Sequence, residues 1–167
     1  AGPARSLDGT AQLMAVSSDI IRTWRSPRAV MRDLLAMGQR EDRAVAYLMA
    51  GCLLIFIAQW PRLSRIAFLT GDEFDRLVAY ELLSWLIIWP LMLYLVAAII
   101  HLARWVIWRN GAPWTARLAL FWAVLAASPM GLLYGLMAGF VGPGTGTDLV
   151  GGTWLGAMAI FAVQGLR

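Results

Sequence analysis

Lysine is missing from this chain altogether, and histidine and cysteine occur once each. Each scarcity removes a class of function. A zinc site collects three or four ligands from cysteine, histidine and carboxylate side chains, and neither His101 nor Cys52 has a second residue of its kind to work with. Cys52 lies inside the apolar run Ala44–Trp60 (AVAYLMAGCLLIFIAQW), so it supplies no disulfide framework and reads as a small buried hydrophobe. His101 stands near the end of another apolar segment and reads as an interfacial or structural histidine. No metal and no cofactor are expected.

Charge is scarce as well. Only 14% of the residues are charged, against about 25% in an ordinary soluble domain. Glu81 and Asp148 sit at the edges of apolar segments and no carboxylate falls in the middle of one. Proton- and cation-coupled transporters usually keep such a group. The loop Gly142 to Asp148 (GPGTGTD) lacks the GK[ST] ending of a phosphate-binding loop, and no GxSxG, HExxH or paired-carboxylate arrangement occurs. The chain is therefore not expected to be an enzyme.

What is abundant is apolar surface. Hydrophobic residues make up 60% of the sequence, with nine Trp and four Tyr. A chain this small cannot hide that much apolar area in a soluble core. Lipid is the natural place for it, and amphipathic aromatic rings favour membrane interfaces. The expected fold is all-α: a polytopic transmembrane helix bundle of about four spans, preceded by a basic amphipathic interfacial helix.

Ala1 to Leu13 is short, polar and without an apolar core, and reads as a tag or frayed tail ahead of Met14 rather than a signal peptide. Residues 14–43 are expected to be cytoplasmic amphipathic helices. Ile20, Ile21, Trp24, Val30, Met31, Leu34 and Leu35 recur at helical spacing, with Arg22, Arg25, Arg32 and Asp33 on the other side. Ser26-Pro27 is an N-cap followed by proline at the first helical position, and Gly38 is a stop signal. This predicts two short helices broken near Ser26, the second from about Pro27 to Met37. Arg22, Trp24, Arg25, Arg28 and Arg32 are expected to meet the membrane surface and its anionic lipids. The alternative is docking on the protein's own bundle.

Residues 44–167 form the expected bundle, with spans at about 44–60, 82–108, 117–139 and 149–166. Pro61 ends the first, Pro90 interrupts the second, and Ser128-Pro129 lies in the third. Thr70-Gly71-Asp72-Glu73 resembles a capping box for the helix that leads into the second span. Seven arginines precede the first span (Arg5, Arg22, Arg25, Arg28, Arg32, Arg40, Arg43). Three lie in the first loop (Arg62, Arg65, Arg76), three in the second (Arg104, Arg109, Arg117), and Arg167 ends the chain. That bias puts both termini in the cytoplasm. Because these arginines flank apolar segments, topology and lipid explain them, and no nucleic-acid partner is expected.

The clearest motif is one of packing. Gly131, Gly135 and Gly139 line one face of the third span, and Gly152 and Gly156 repeat the spacing in the fourth. Glycine lets helix backbones approach closely where lipid removes the hydrophobic drive. The spacing leaves open whether the partner helix is in this chain or another.

From Ser26 onward the chain resembles the bacterial branch of the Yip1 family of integral membrane proteins. The features that carry the likeness are the basic amphipathic segment TWRSPRAVMRDLLA and the Trp/Arg-rich turn that runs into a span with Ser-Pro (HLARWVIWRNGAPWTARLALFWAVLAASPMGLL). The family usually has about five spans, against four counted here. Its eukaryotic members are associated with vesicle trafficking and small GTPases, and carry an aspartate-leucine-tyrosine-glycine-proline signature absent from this sequence. The resemblance implies a multi-pass bundle in a bacterial inner membrane and carries over no functional residue. An all-arginine set of cations also fits the coding of a GC-rich bacterial genome. The leading functional expectation is a non-catalytic membrane scaffold or accessory subunit, packing against a membrane protein partner or a second copy. A small oligomeric transporter or channel is the alternative, and an enzyme acting on lipids comes third.

Overall fold

The structure, a computed structural model, describes residues 4–108 and 113–166, with side chains described over 14–106 and 113–166. The described residues are predominantly helical and contain no strand, with eight α-helices among them. α1 (Ala4–Arg25) and α2 (Pro27–Ala36) form the N-terminal pair. α3 (Glu41–Ala58) and α4 (Trp60–Thr70) follow almost in line. α5 (Phe74–Leu83) passes through a π turn, Ser84–Ile88, into α6 (Trp89–Trp108). α7 (Pro113–Phe140) and α8 (Thr145–Gly165) complete the chain. Four stretches are long and apolar enough to cross a membrane: Glu41–Thr70, Phe74–Val106, Pro113–Phe140 and Thr145–Gly165.

Prolines explain most of the punctuation. Pro27 and Pro61 each stand in the first turn of a helix, where a missing N–H costs nothing. Pro90 cannot donate to the carbonyl four residues back and its ring crowds that carbonyl. The turn before it is loosened accordingly, with the Trp89 N–H reaching Ser84 O. Pro129 is accommodated inside α7. Ser26 breaks the chain between α1 and α2 as the sequence predicts, but its side chain caps nothing. The Thr70–Glu73 segment is not a capping box. Thr70 closes α4, Gly71 adopts a left-handed φ of 74° as its C-cap, and the Thr70 hydroxyl donates to Ile66 O.

Contacts fix the topology. Along α3 and α4, Gly51 lies beside Val124, Ala58 beside Gly135 and Pro61 beside Gly139, so α3 and α7 run parallel. Gly165 meets Ala119 and Gly131 meets Trp154, so α8 runs antiparallel to α7. Tyr94 of α6 packs edge-on against Phe121, with ring centroids 4.8 Å apart. The spans therefore alternate, and the start of α3 and the end of α8 share one end of the bundle. α7 is the axis, with every residue from Leu118 to Ser128 buried among α3, α6, α8 and α1.

Candidate functional site

One end of the bundle gathers the arginines. Arg117 in the first turns of α7 pairs with Glu41 in the first turn of α3 at 2.7 Å, tying two helix starts together. Arg22 bridges Asp19 at 2.9 Å and Asp33 at 3.0 Å, which locks α1 to α2. Its hydrogen bonds to Asp33 and then Asp19 hold that guanidinium charged still further above its ordinary range. Arg22 lies in solvent, so salt screens both of its pairs.

The N-terminal pair is docked on the bundle rather than laid free in the headgroup plane. Val30, Met31 and Leu34 of α2 are buried. Thr23 is 1% exposed, and its hydroxyl accepts a 3.0 Å hydrogen bond from the Trp122 indole N–H, itself buried. Trp24 lays its ring edge-on against Phe161 of α8 and donates from Nε1 to Ala126 O at 3.1 Å. That carbonyl neighbours the one that Pro129 deprives of its donor, where the α7 ladder is weakest. Arg25, Arg28 and Arg32 remain exposed on the outer side. The amphipathic pattern is thus used twice, with its apolar face on the bundle and its cations on the surface.

The glycines of α7 are all in contact. A Cβ on Gly135 would lie 1.8 Å from Ala58 O, and one on Gly139 would lie 2.3 Å from Pro61 Cβ, so α3 and α4 touch the α7 backbone itself. Gly131 faces the Trp154 ring, about 3.2 Å from the same hypothetical atom. A Cβ on Gly152 or Gly156 of α8 would meet nothing within 4 Å among the described residues.

Three features lie beyond the sequence reading. At the far end of the bundle, Arg65 donates to Gly139 O and Phe140 O at 3.3 and 3.4 Å, placing a cation on the negative end of α7. Nearby, Arg62 donates to the buried Gln59 at 2.8 Å and to Glu81 at 2.9 Å, and Trp85 in the π turn donates to the same Glu81 oxygen at 3.1 Å. At the arginine-rich end, Arg28 and Arg32 of α2 meet Arg104 of α6, Thr115 of α7 and Gln164 of α8 around a hollow of about 500 Å³. The sequence signal for it was the four-residue spacing of Arg28 and Arg32, one helical turn apart. Nothing local ties Arg104 to them.

His101 is half-buried on α6, and no cluster of three metal-binding side chains occurs among the described residues. Arg109 and Arg167, counted for orientation, lie outside the described residues. Set against family models, curated proteins and solved structures, the chain matches none.

Proposed function

We propose that this protein is a non-catalytic membrane scaffold or accessory subunit that engages a membrane protein partner, or a second copy of itself, through α6 and α8. The observation that carries the reading is the open glycine pair on α8. A helix face that meets only lipid has no use for Gly152 and Gly156, whereas a second helix gains close backbone approach there. The surrounding faces fit the same role: Leu91, Leu95 and Ile99 on α6 and Leu149, Leu155 and Ile160 on α8 are exposed. Among the described residues, no chain of buried polar side chains crosses the interior. Its buried polar residues Thr23, Gln59, Ser128 and Thr147 are scattered, three of them on partners of their own.

The arginine-rich end is taken as cytoplasmic and the membrane as a bacterial inner membrane, in keeping with the Yip1-family likeness. A reporter fused at Gly144 then belongs on the outer side. The functional reading is tested by extracting the tagged protein from its native membrane in mild detergent, with quantitative and native mass spectrometry. A fixed-ratio complex or homo-oligomer that Gly152→Leu/Gly156→Leu disperses, with the monomer still folded, supports it. A parent protein that comes out alone refutes it.

A second reading, a small oligomeric transporter or channel, draws on the Gln59–Arg62–Glu81–Trp85 cluster beside the π turn, since π turns recur at functional sites. It requires water-accessible positions deeper in the spans. Cysteines at Ser84 and Ser128 that resist impermeant thiol reagents would rule it out.

A further inference from the structure

Going beyond the scaffold reading, we propose that the hollow between α2, α6, α7 and α8 binds the phosphate of an anionic lipid, with an acyl chain lying along α8. The hollow holds three guanidinium groups, Arg28, Arg32 and Arg104, with Thr115 and Gln164 as neutral hydrogen-bonding partners. Among the described residues no carboxylate lines it and none of these arginines forms an ion pair. The acid on α2, Asp33, is turned to Arg22 on α1 instead.

Arg28 and Arg32 are one turn apart on the same helix, where like charges repel, and Arg104 adds a third cation from across the hollow. A bound anion relieves that repulsion. Guanidinium groups suit phosphate because their planar donors grip two oxygens at once. Thr115 lies in the first turn of α7, so the positive end of that helix points the same way. The volume falls within the range of small-molecule sites.

The lipid, rather than a free phosphate, follows from what adjoins the hollow. Arg28 and Gln164 also line a second, more open groove of about 340 Å³ whose remaining wall is Ala159, Ile160 and Val163. Charge and apolar wall thus meet at the same two residues. The site lies at the last turns of α6 and α8 and the first turn of α7, the level at which a headgroup would sit beside these spans. Arg28 and Arg32 are exposed, so the site is open to the headgroup layer, while Arg104 is half-buried behind them.

The test is native mass spectrometry of the full chain in mild detergent, titrated with phosphatidylglycerol, phosphatidylcholine or inorganic phosphate. One phosphatidylglycerol is expected to be retained, about tenfold more tightly than phosphatidylcholine. Arg28→Gln/Arg32→Gln/Arg104→Gln should weaken it by about tenfold or more, and Arg25→Gln/Arg40→Gln, at the same end but outside the hollow, by no more than about twofold. Should the triple variant lose its thermal transition, Arg28→Gln/Arg32→Gln, which alters exposed side chains alone, must still weaken binding by about threefold. Val163→Trp, which fills the apolar groove, should weaken the lipid and leave inorganic phosphate unaffected. Equal loss in the Arg25/Arg40 variant would reduce the site to diffuse surface charge and overturn the proposal. So would equal retention of phosphatidylcholine. Displacement by inorganic phosphate together with an unaffected Val163→Trp would assign the hollow to free phosphate instead.

Discussion

The glycines of α7 and of α8 share one spacing and meet opposite fates. On α7 they are pressed against other backbone: Ala58 O would sit 1.8 Å from a Cβ on Gly135, and Pro61 Cβ 2.3 Å from one on Gly139. On α8, a Cβ on Gly152 or Gly156 would meet nothing within 4 Å among the described residues. The helices differ in the same sense as a whole, with 61% of the most apolar stretch of α7 buried against 17% for α8. One motif therefore serves two ends. In α7 it removes side chains so that α3 and α4 can lie against the axis of the bundle. In α8 it leaves a shallow track that a helix from outside could occupy. A four-residue glycine spacing reports that close approach is possible, and the position of the helix in the bundle decides who approaches.

The largest expected effect comes from Gly135→Ala. Even a methyl group there must force α3 away from α7, which should cost about 3 kcal/mol and lower the thermal midpoint in detergent by roughly 10 °C. Gly139→Ala should follow closely, since Pro61 is as rigid a neighbour as a backbone carbonyl. A midpoint unchanged in both would mean that α3, α4 and α7 are not packed at this distance. Next comes Thr23→Val, which keeps the shape but leaves the Trp122 N–H unpaired in a buried place, at about 1–3 kcal/mol. Differential scanning fluorimetry should show a fall of about 5 °C, and retention of the parent midpoint would show that α1 is not seated against α7. The smallest effect, and the one of opposite sign, belongs to Gly156→Ala. With open space around it, the monomer should hold or gain up to about 1 kcal/mol from the restricted unfolded chain. A loss there as large as at Gly135 would erase the distinction between the two helices.

Much of the architecture was legible in advance. Apolar runs of spanning length, the break at Ser26 and the stop at Gly38 are local properties of composition and backbone chemistry, and each has its helix or turn in the structure. Local signals failed where two signals compete for the same residues. Thr70-Gly71-Asp72-Glu73 spells a helix start, but Gly71 with φ of 74° ends the preceding helix first, and the Thr70 hydroxyl bonds Ile66 O and Asp72 rather than reaching Glu73. Ser26 has the residue type of a cap without its hydrogen bond, because Pro27 and the buried Val30 and Met31 suffice to set the start of α2.

The arginine hollow was half legible. Arg28 and Arg32 announce a basic face on one helix, while Arg104, Thr115 and Gln164 join it from three other helices. By itself the sequence determined the all-α class, the number of spanning segments, and the cations that border them, since hydropathy, helical period and proline or glycine punctuation act over a few residues. Tertiary structure alone decided which glycines are occupied, that Trp24 reaches Ala126 O, and which arginines share a hollow. These contacts join residues of different helices, 102 positions apart for Trp24 and Ala126, and helix crossing and order in the bundle set them, not any spacing along a single helix.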